Sequence, residues 1–182
     1  MDFSLDSVPS IYKALKAFEA DLLQSFVKPN HILMGDSVGS LPPKTKNYVV
    51  NTILWQQQNG TGSESFNHKT GRVNIDRYYR VTVQIDCYAS DSEIARKMAT
   101  ALSSVANTQF ATEYLNAFGV VIHYGEMPKN TTIQGEDTQP LCRWTVTFDM
   151  GYWQKMSIAT QGIDSIVIDK IINVDLLDQD KG

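Results

Sequence analysis

Two segments with strictly alternating side chains constrain the fold of this 182-residue chain more than any other feature. Between Tyr79 and Cys87 every second residue is apolar, and the residues between them are polar. The segment from Cys142 to Met150 repeats the pattern. Alternation with a period of two places apolar side chains on one face of a β-strand and polar side chains on the other. Both segments are therefore predicted to be half-buried strands.

The polar sides of these two segments carry complementary charges. Arg80 and Asp86 lie near the ends of one polar row, and Arg143 and Asp149 end the other. An antiparallel register that places Arg80 opposite Asp149 also places Asp86 opposite Arg143. The matching parallel register would instead set like charges side by side. We therefore predict that the two strands are antiparallel neighbours in this register. The alternative is two amphipathic strands that are not neighbours.

Three helices are predicted from apolar residues at helical spacing. The first runs from Pro9 to about Lys28, with Ser7 as its N-cap. The second begins at the capping box Ser90–Glu93, and the third covers residues 108–118. The predicted buried stripe of the second helix is Ile94, Met98, Leu102 and Val105.

Further strands are predicted over residues 47–57, 120–124 and 166–177. Residues 58–72 contain three glycines among Ser, Thr and Asn, and this segment is predicted to be an extended, mobile arm. Strands that follow one another across loops favour antiparallel pairing. The sequence therefore predicts one α+β domain over residues 1–182. Its mostly antiparallel β-sheet has helices packed on one face and a long arm between the first two strands.

Charge argues against nucleic acid as the main ligand. The net charge is −4 and the isoelectric point is about 5.3. Residues 164–182 hold five Asp and two Lys, which are predicted to keep the end of the chain solvated. The remaining sequence offers no basic stripe for phosphates. No apolar run reaches the roughly 20 residues that span a bilayer, and the acidic N-terminal segment has no basic, apolar-cored signal. No membrane association is predicted.

The residues that usually carry chemistry are scattered. His31, His68 and His123 lie far apart in the sequence, and no zinc, calcium or nucleophile motif surrounds them. Cys87 and Cys142 are predicted to be reduced, buried thiols, and the register proposed above sets them opposite each other. We therefore predict no catalytic residues, no cofactor, no metal and no enzymatic activity.

Aromatic and amide residues at strand ends and in the arm predict a protein contact surface. Phe66 lies in the middle of the arm among polar neighbours and is the strongest candidate. The alternative for these aromatic residues is packing at the edge of the core. The predicted subunit interface consists of Trp55, Gln57, Phe66, Arg72, Tyr78, Tyr152 and Trp153.

The segment Tyr79–Tyr88, followed by Ser90, Asp91 and an alanine-rich helix, resembles the central signature of phage neck and tail terminator proteins. In that family a strand of the type Val-Gln-Val-Asp-Cys-Tyr-Gly leads into an amphipathic helix. The N-terminal helix, first long strand, arm and late strand also follow the family order, so the resemblance covers about residues 10–177. Ala89 stands where the family often has glycine.

The resemblance implies a structural virion protein. Such proteins form a ring, commonly a hexamer, that caps the tail tube, ends tube polymerisation and joins the tail to the head connector. The implied partners are further copies of the chain, the tail tube protein, the head-completion or connector protein and the tail sheath, while DNA passes through the lumen without specific binding. The implied location is the virion tail or neck, after assembly in the host cytoplasm. The alternatives are a head–tail connector, tail-completion or minor tail protein and a small-molecule binding module.

Overall fold

The computed structural model describes residues 3–5, 10–35, 46–132 and 141–159. Seven strands, three α-helices and one 3-10 turn occur in these ranges. In chain order they are β1 (Phe3–Leu5), α1 (Ile11–Leu22), the 3-10 turn (Pro29–His31), β2 (Ile32–Met34), β3 (Tyr48–Asn67), β4 (Arg72–Ala89), α2 (Ser92–Ala106), α3 (Gln109–Asn116), β5 (Val120–Gly125), β6 (Lys129–Asn130) and β7 (Cys142–Ala159). The predicted strand over 166–177 lies outside the described residues. None of the helices in these ranges has the length and apolar character needed to cross a membrane.

The strands form one sheet in the order β1-β7-β4-β3-β2, and β5 and β6 pair with the side of β7 that faces away from β4. Every pairing is antiparallel except that of β2 with β3. The apolar residues of β4 and β7 form one core with α1, α2 and α3, in which Val83, Phe148 and Leu102 are fully buried. The predicted α+β class, with helices on one face of a mostly antiparallel sheet, is confirmed.

The two alternating strands are antiparallel neighbours, as predicted, but their register differs by two residues. Arg80 lies opposite Gly151 instead of Asp149, and Cys87 lies opposite Trp144 instead of Cys142. A shift of two keeps every side chain on its predicted face. Both predicted ion pairs therefore still form, as diagonal contacts, because long side chains reach the neighbouring cross-strand position. The two cysteines are reduced thiols; Cys87 is fully buried, whereas Cys142 is only partly buried.

The helix boundaries follow side-chain caps. Ser10, rather than Ser7, caps α1 by accepting a hydrogen bond from the Lys13 amide, and α1 ends at Leu22 rather than near Lys28. Asp91, rather than Ser90 of the predicted capping box, caps α2 by accepting from the Glu93 amide at 2.8 Å. In both helices the capping side chain accepts a hydrogen bond from an amide of the first turn that has no partner inside the helix. Each helix therefore begins at the residue after its cap.

The buried side of α2 uses smaller residues than predicted. Met98 and Leu102 are buried as expected, whereas Ile94 and Val105 are only partly buried. Alanines fill the rest of the contact and allow the helix to lie close to the sheet. The α2 residues buried against the sheet are Ala95, Met98, Ala99, Leu102, Ser103 and Ala106.

The predicted arm is extended, but it is regular β-structure rather than an irregular connection. β3 continues to Asn67, and a turn over residues 68–71 leads directly into β4. Gly71 ends this turn with a φ of 62°, a left-handed conformation that favours glycine. The register of β3 against β4 shifts at two points, Leu54 and residues 60–62. The second shift contains two glycines of the segment that suggested a loop.

Candidate assembly surface

The sheet has two regions that differ in what covers them. The base consists of residues 48–58, 78–89 and 142–153, and the three helices pack on one of its faces. The arm sheet consists of residues 59–77 and 154–159 together with β1, which pairs with the outer part of β7. Because β4 and β7 run through both regions without a register shift, the two faces of the base continue into the arm sheet.

One face of the arm sheet is mostly apolar and lies outside the hydrophobic core, and by register it also carries the ion pair between Arg77 and Glu64. Val73 lies opposite both Phe66 and Ile158, and Ile75 lies opposite Met156. By register these residues share the face of the buried core residues of the base, yet all of them retain exposed surface. The Phe66 side chain is 48% exposed, and its ring meets the edge of His68 at a centroid distance of 4.8 Å.

The opposite face of the arm sheet is polar. The Arg72 guanidinium donates to the Ser157 hydroxyl at 2.8 Å and to the Ser157 carbonyl at 3.0 Å. The Ser157 hydroxyl in turn lies 3.1 Å from Asn74 Oδ1. These contacts join β4 to β7 across the arm sheet. Arg72, predicted as an interface residue, therefore serves first to hold two strands of its own chain together.

The helix-free face of the base carries Trp55 and Gln57. Both line an open depression of about 370 Å³. Its floor includes the ion pair between Arg80 and Asp149, in which Arg80 Nε donates to Asp149 Oδ1 at 2.9 Å. The other lining residues are Thr82, Tyr124, Glu126 and Thr147. A shallow depression with an exposed tryptophan, 43% accessible, is typical of a protein contact more than of an enclosed ligand site.

Tyr78 and Trp153 form an aromatic pair beside this depression. Their ring centroids are 5.1 Å apart, and the Tyr78 hydroxyl lies 2.6 Å from His123 Nε2. Burial and the nearby Asp149 raise the pKa of Tyr78, so the phenol stays protonated. A Cβ at Gly151 would clash with the Tyr78 hydroxyl oxygen, so the glycine makes room for this ring.

Tyr152 belongs to the core rather than to the surface. It is 4% exposed, stacks on Tyr79 at 5.5 Å and accepts a hydrogen bond from Gln56 Nε2 at 3.0 Å. The structure thus gathers Trp55, Gln57, Tyr78 and Trp153 on the helix-free face of the base. It places Phe66 and Arg72 on opposite faces of the arm sheet.

Sequence reasoning missed two parts of this surface. Val73, Ile75, Met156 and Ile158 alternate with polar residues, and the same period-two signal that identified the base strands was available there. Tyr124 is 53% exposed on β5, where a short strand gave no indication of its exposed side.

The titratable groups form pairs that serve the fold. Asp86 is 4% exposed and accepts hydrogen bonds from Arg143 at 2.7 Å, from the Thr145 hydroxyl at 2.6 Å and from Gln84 at 2.9 Å. Such a saturated carboxylate stabilises the strand pairing. In the described part of the chain, no group of three or more His, Cys, Asp or Glu residues is arranged to hold a metal ion.

A second carboxyl group is buried between α1 and β3. Glu19 is fully buried, and its Oε2 accepts from Asn51 Nδ2 at 2.7 Å. Burial raises the pKa of Glu19 to about 8, so the group is neutral at pH 7. Glu19 Oε1 and Asn51 Oδ1 have no hydrogen-bond partner among the described residues, and a protonated carboxyl leaves no unpaired charge at this buried position.

Comparison with known proteins gives one family. The model of that family, described as phage neck terminator protein, matches residues 10–178. A search of curated proteins gives no match. The matched range contains the base, nearly all of the arm sheet and all three helices. The chain belongs to the phage neck terminator protein family, a family of structural proteins.

Proposed function

We propose that this chain is a structural virion protein, without enzymatic activity, that forms a ring at the end of the tail tube. The observation that carries the proposal is the apolar face of the arm sheet, which extends the core face of the base beyond the helices that cover it. Exposed apolar patches of this kind mark protein interaction sites. The ring, commonly a hexamer in the family, would cap the tube, end its polymerisation and join the tail to the head connector.

Two different surfaces favour a closed ring. A ring of identical copies needs a heterologous contact, in which one face of a subunit meets a different face of the next. The arm sheet and the helix-free face of the base are such a pair. In this proposal Phe66 and Arg72 approach the neighbour from the arm sheet, whereas Trp55, Gln57, Tyr78 and Trp153 belong to the base. Tyr152 supports the base surface from inside the core.

The remaining faces of the ring would contact the tail tube protein, the head-completion or connector protein and the tail sheath. The protein would assemble in the host cytoplasm and remain in the tail or neck of the virion. Pairing of arginines with carboxylates supports passage of DNA without specific binding. Arg80 is paired with Asp149 and Arg143 with Asp86, and the whole chain is acidic. Paired arginines and a net negative charge both weaken the attraction of the chain to phosphates.

Mass measurement across a concentration series, with negative-stain images at the highest concentration, tests the proposal. We expect rings of uniform size with a central hole, either from the protein alone or after addition of tail tube protein. Phe66→Ala should shift the mass towards the monomer. Phe110→Ala is the matched control, because Phe110 is 56% exposed on α3, away from the arm sheet. A monomer under every condition, with tube protein present, would overturn the ring.

A further inference from the structure

The outer edge of β3 is a second feature of the arm sheet. On the side away from β4, β3 pairs with β2 only over Val49–Asn51. From Trp55 to Asn67 no described strand uses that side of β3, and nearly all of these residues are exposed. Backbone N–H and C=O groups along such an edge are a template for an added strand.

This edge has few of the usual protective residues. Between Trp55 and Asn67 there is no Lys, Arg or Pro, and the one charged residue is Glu64, which binds Arg77 of the same chain at 2.7 Å. The irregularity at residues 60–62 divides the edge, but 63–67 pair regularly with β4. An edge strand without lysine or proline is open to pairing with another chain.

The end of the chain has the complementary composition. Residues 160–182 hold five Asp and two Lys, a net charge of −3. The arm sheet holds four basic residues against two acidic ones, a net charge of +2. If residues 166–174 form a strand, its even-numbered positions share one side. Four of these five positions are apolar, namely Ile166, Ile168, Ile172 and Val174.

We propose that residues 166–174 of one copy add as a β-strand to the β3 edge of a neighbouring copy, with their apolar side beside Phe66. β7 ends at Ala159, beside Arg72 at the far end of the arm sheet, and the six residues 160–165 reach up to about 20 Å from there. The added strand would widen the apolar face of the arm sheet. Asp169 and Lys170 leave the strand itself without net charge, and the flanking residues 164 and 175–182 would bring the negative charge of the end segment near the positive arm sheet. This inference rests on the proposed self-assembly and names the contact between copies.

Cysteine pairs between two differently substituted chains test the inference. Ser63 and Ser65 lie opposite Asp76 and Asn74 and therefore on the polar face of the arm sheet. In the added strand, the odd-numbered positions of residues 166–174 would lie on that same polar face. One chain carries Ser65→Cys or Ser63→Cys, and the other carries Asp169→Cys, Ile171→Cys or Asn173→Cys. After mixing and mild oxidation, we expect a disulfide between the two chains.

The matched control is Lys170→Cys, which lies in the same segment but on the opposite side of the added strand. It should give at least several-fold less product, and mixtures of unsubstituted chains measure any background from Cys87 and Cys142. Equal product at position 170 and at the odd positions would overturn strand addition. A disulfide formed only within a chain that carries both substitutions would overturn the exchange between copies.

A proline variant separates this inference from the ring itself. Ile168→Pro removes a backbone donor from the proposed strand, and we expect it to lower the assembled fraction, whereas Gln179→Pro should not. Rings that persist in Ile168→Pro, without cross-linking at the odd positions, would overturn the proposed contact of residues 166–174 with the β3 edge. They would not overturn the proposed ring. Absence of assembly in the unsubstituted chain, with tube protein present, would overturn the proposed function instead.

Discussion

The base and the arm sheet are built from the same strands, yet they use the same sequence pattern in different ways. In the base, the apolar residues of β4 and β7 are covered by helices, and Val83 and Phe148 are completely buried. In the arm sheet the alternation continues through Ile75 and Ile158, which remain partly exposed. The base therefore completes its core within one chain. The arm sheet presents a core face that a second protein surface can complete.

The largest expected difference between the two regions is in the cost of removing a phenylalanine. Phe148→Ala leaves a cavity in the base and should lower the free energy of unfolding by about 3–5 kcal/mol. Phe66→Ala on the arm sheet should change it by no more than about 0.5 kcal/mol, because the side chain is 48% exposed. Urea unfolding of the unassembled protein measures both. Equal losses would show that the arm sheet is packed within the monomer.

A buried acid in α1, which packs beside the base, should make the stability of the folded chain fall with pH. The pKa of Glu19 is raised from 4.5 to about 8 in the folded state, so folding takes up a proton. The stabilisation that Glu19 gains from taking up this proton is complete below pH 4.5. Above that pH the free energy of unfolding falls by up to about 1.4 kcal/mol per pH unit, and it levels off above pH 8. Unfolding curves between pH 5 and 9 should show this slope.

Glu19→Gln is the matched variant for that slope. The amide keeps the shape and the hydrogen bond to Asn51 but does not titrate, so the fall in stability with pH should become shallower. An unchanged slope would show that another group is responsible. Cross-linking or assembly at Phe66 should not follow this titration, because Glu19 lies between α1 and the base, away from the arm sheet.

The next expected effect compares two ion pairs that look equivalent in the sequence. Asp86→Asn weakens a carboxylate that is 4% exposed and accepts three hydrogen bonds, and we expect a loss of about 2 kcal/mol. Asp149→Asn should cost less, because its partner Arg80 is 48% exposed and solvated. Thermal unfolding in low salt measures both, and a larger loss for Asp149→Asn would contradict this ranking.

These contrasts show which parts of the structure the sequence could predict. The alternation in β4 and β7 predicted their pairing and faces, because a shift of two residues preserves both. The register itself could not be predicted, since Arg80 reaches Asp149 directly or diagonally. The arm was predicted as an extended, mobile connection because it is rich in Gly, Asn, Ser and Thr, whereas the structure uses Gly60 and Gly62 at positive φ within an irregularity of β3. Tyr152 was predicted at the surface because the alternation that identified β7 ends at Met150. The sequence therefore did not show which face of the sheet Tyr152 lies on.

The smallest expected effect concerns the turn at the end of the arm sheet. Gly71 has a φ of 62°, and a Cβ added there meets no atom within 4 Å, so a substitution acts through backbone conformation alone. Gly71→Ala should cost about 1 kcal/mol, and Gly71→Asn less, because asparagine tolerates the left-handed region better. If the arm sheet opens independently of the base, the loss will appear as faster amide exchange at residues 63–77, with little change at Val83 or Phe148. Faster exchange in both regions would instead show that base and arm sheet unfold as one unit, so that the apolar face of the arm sheet is held rigid before any partner covers it.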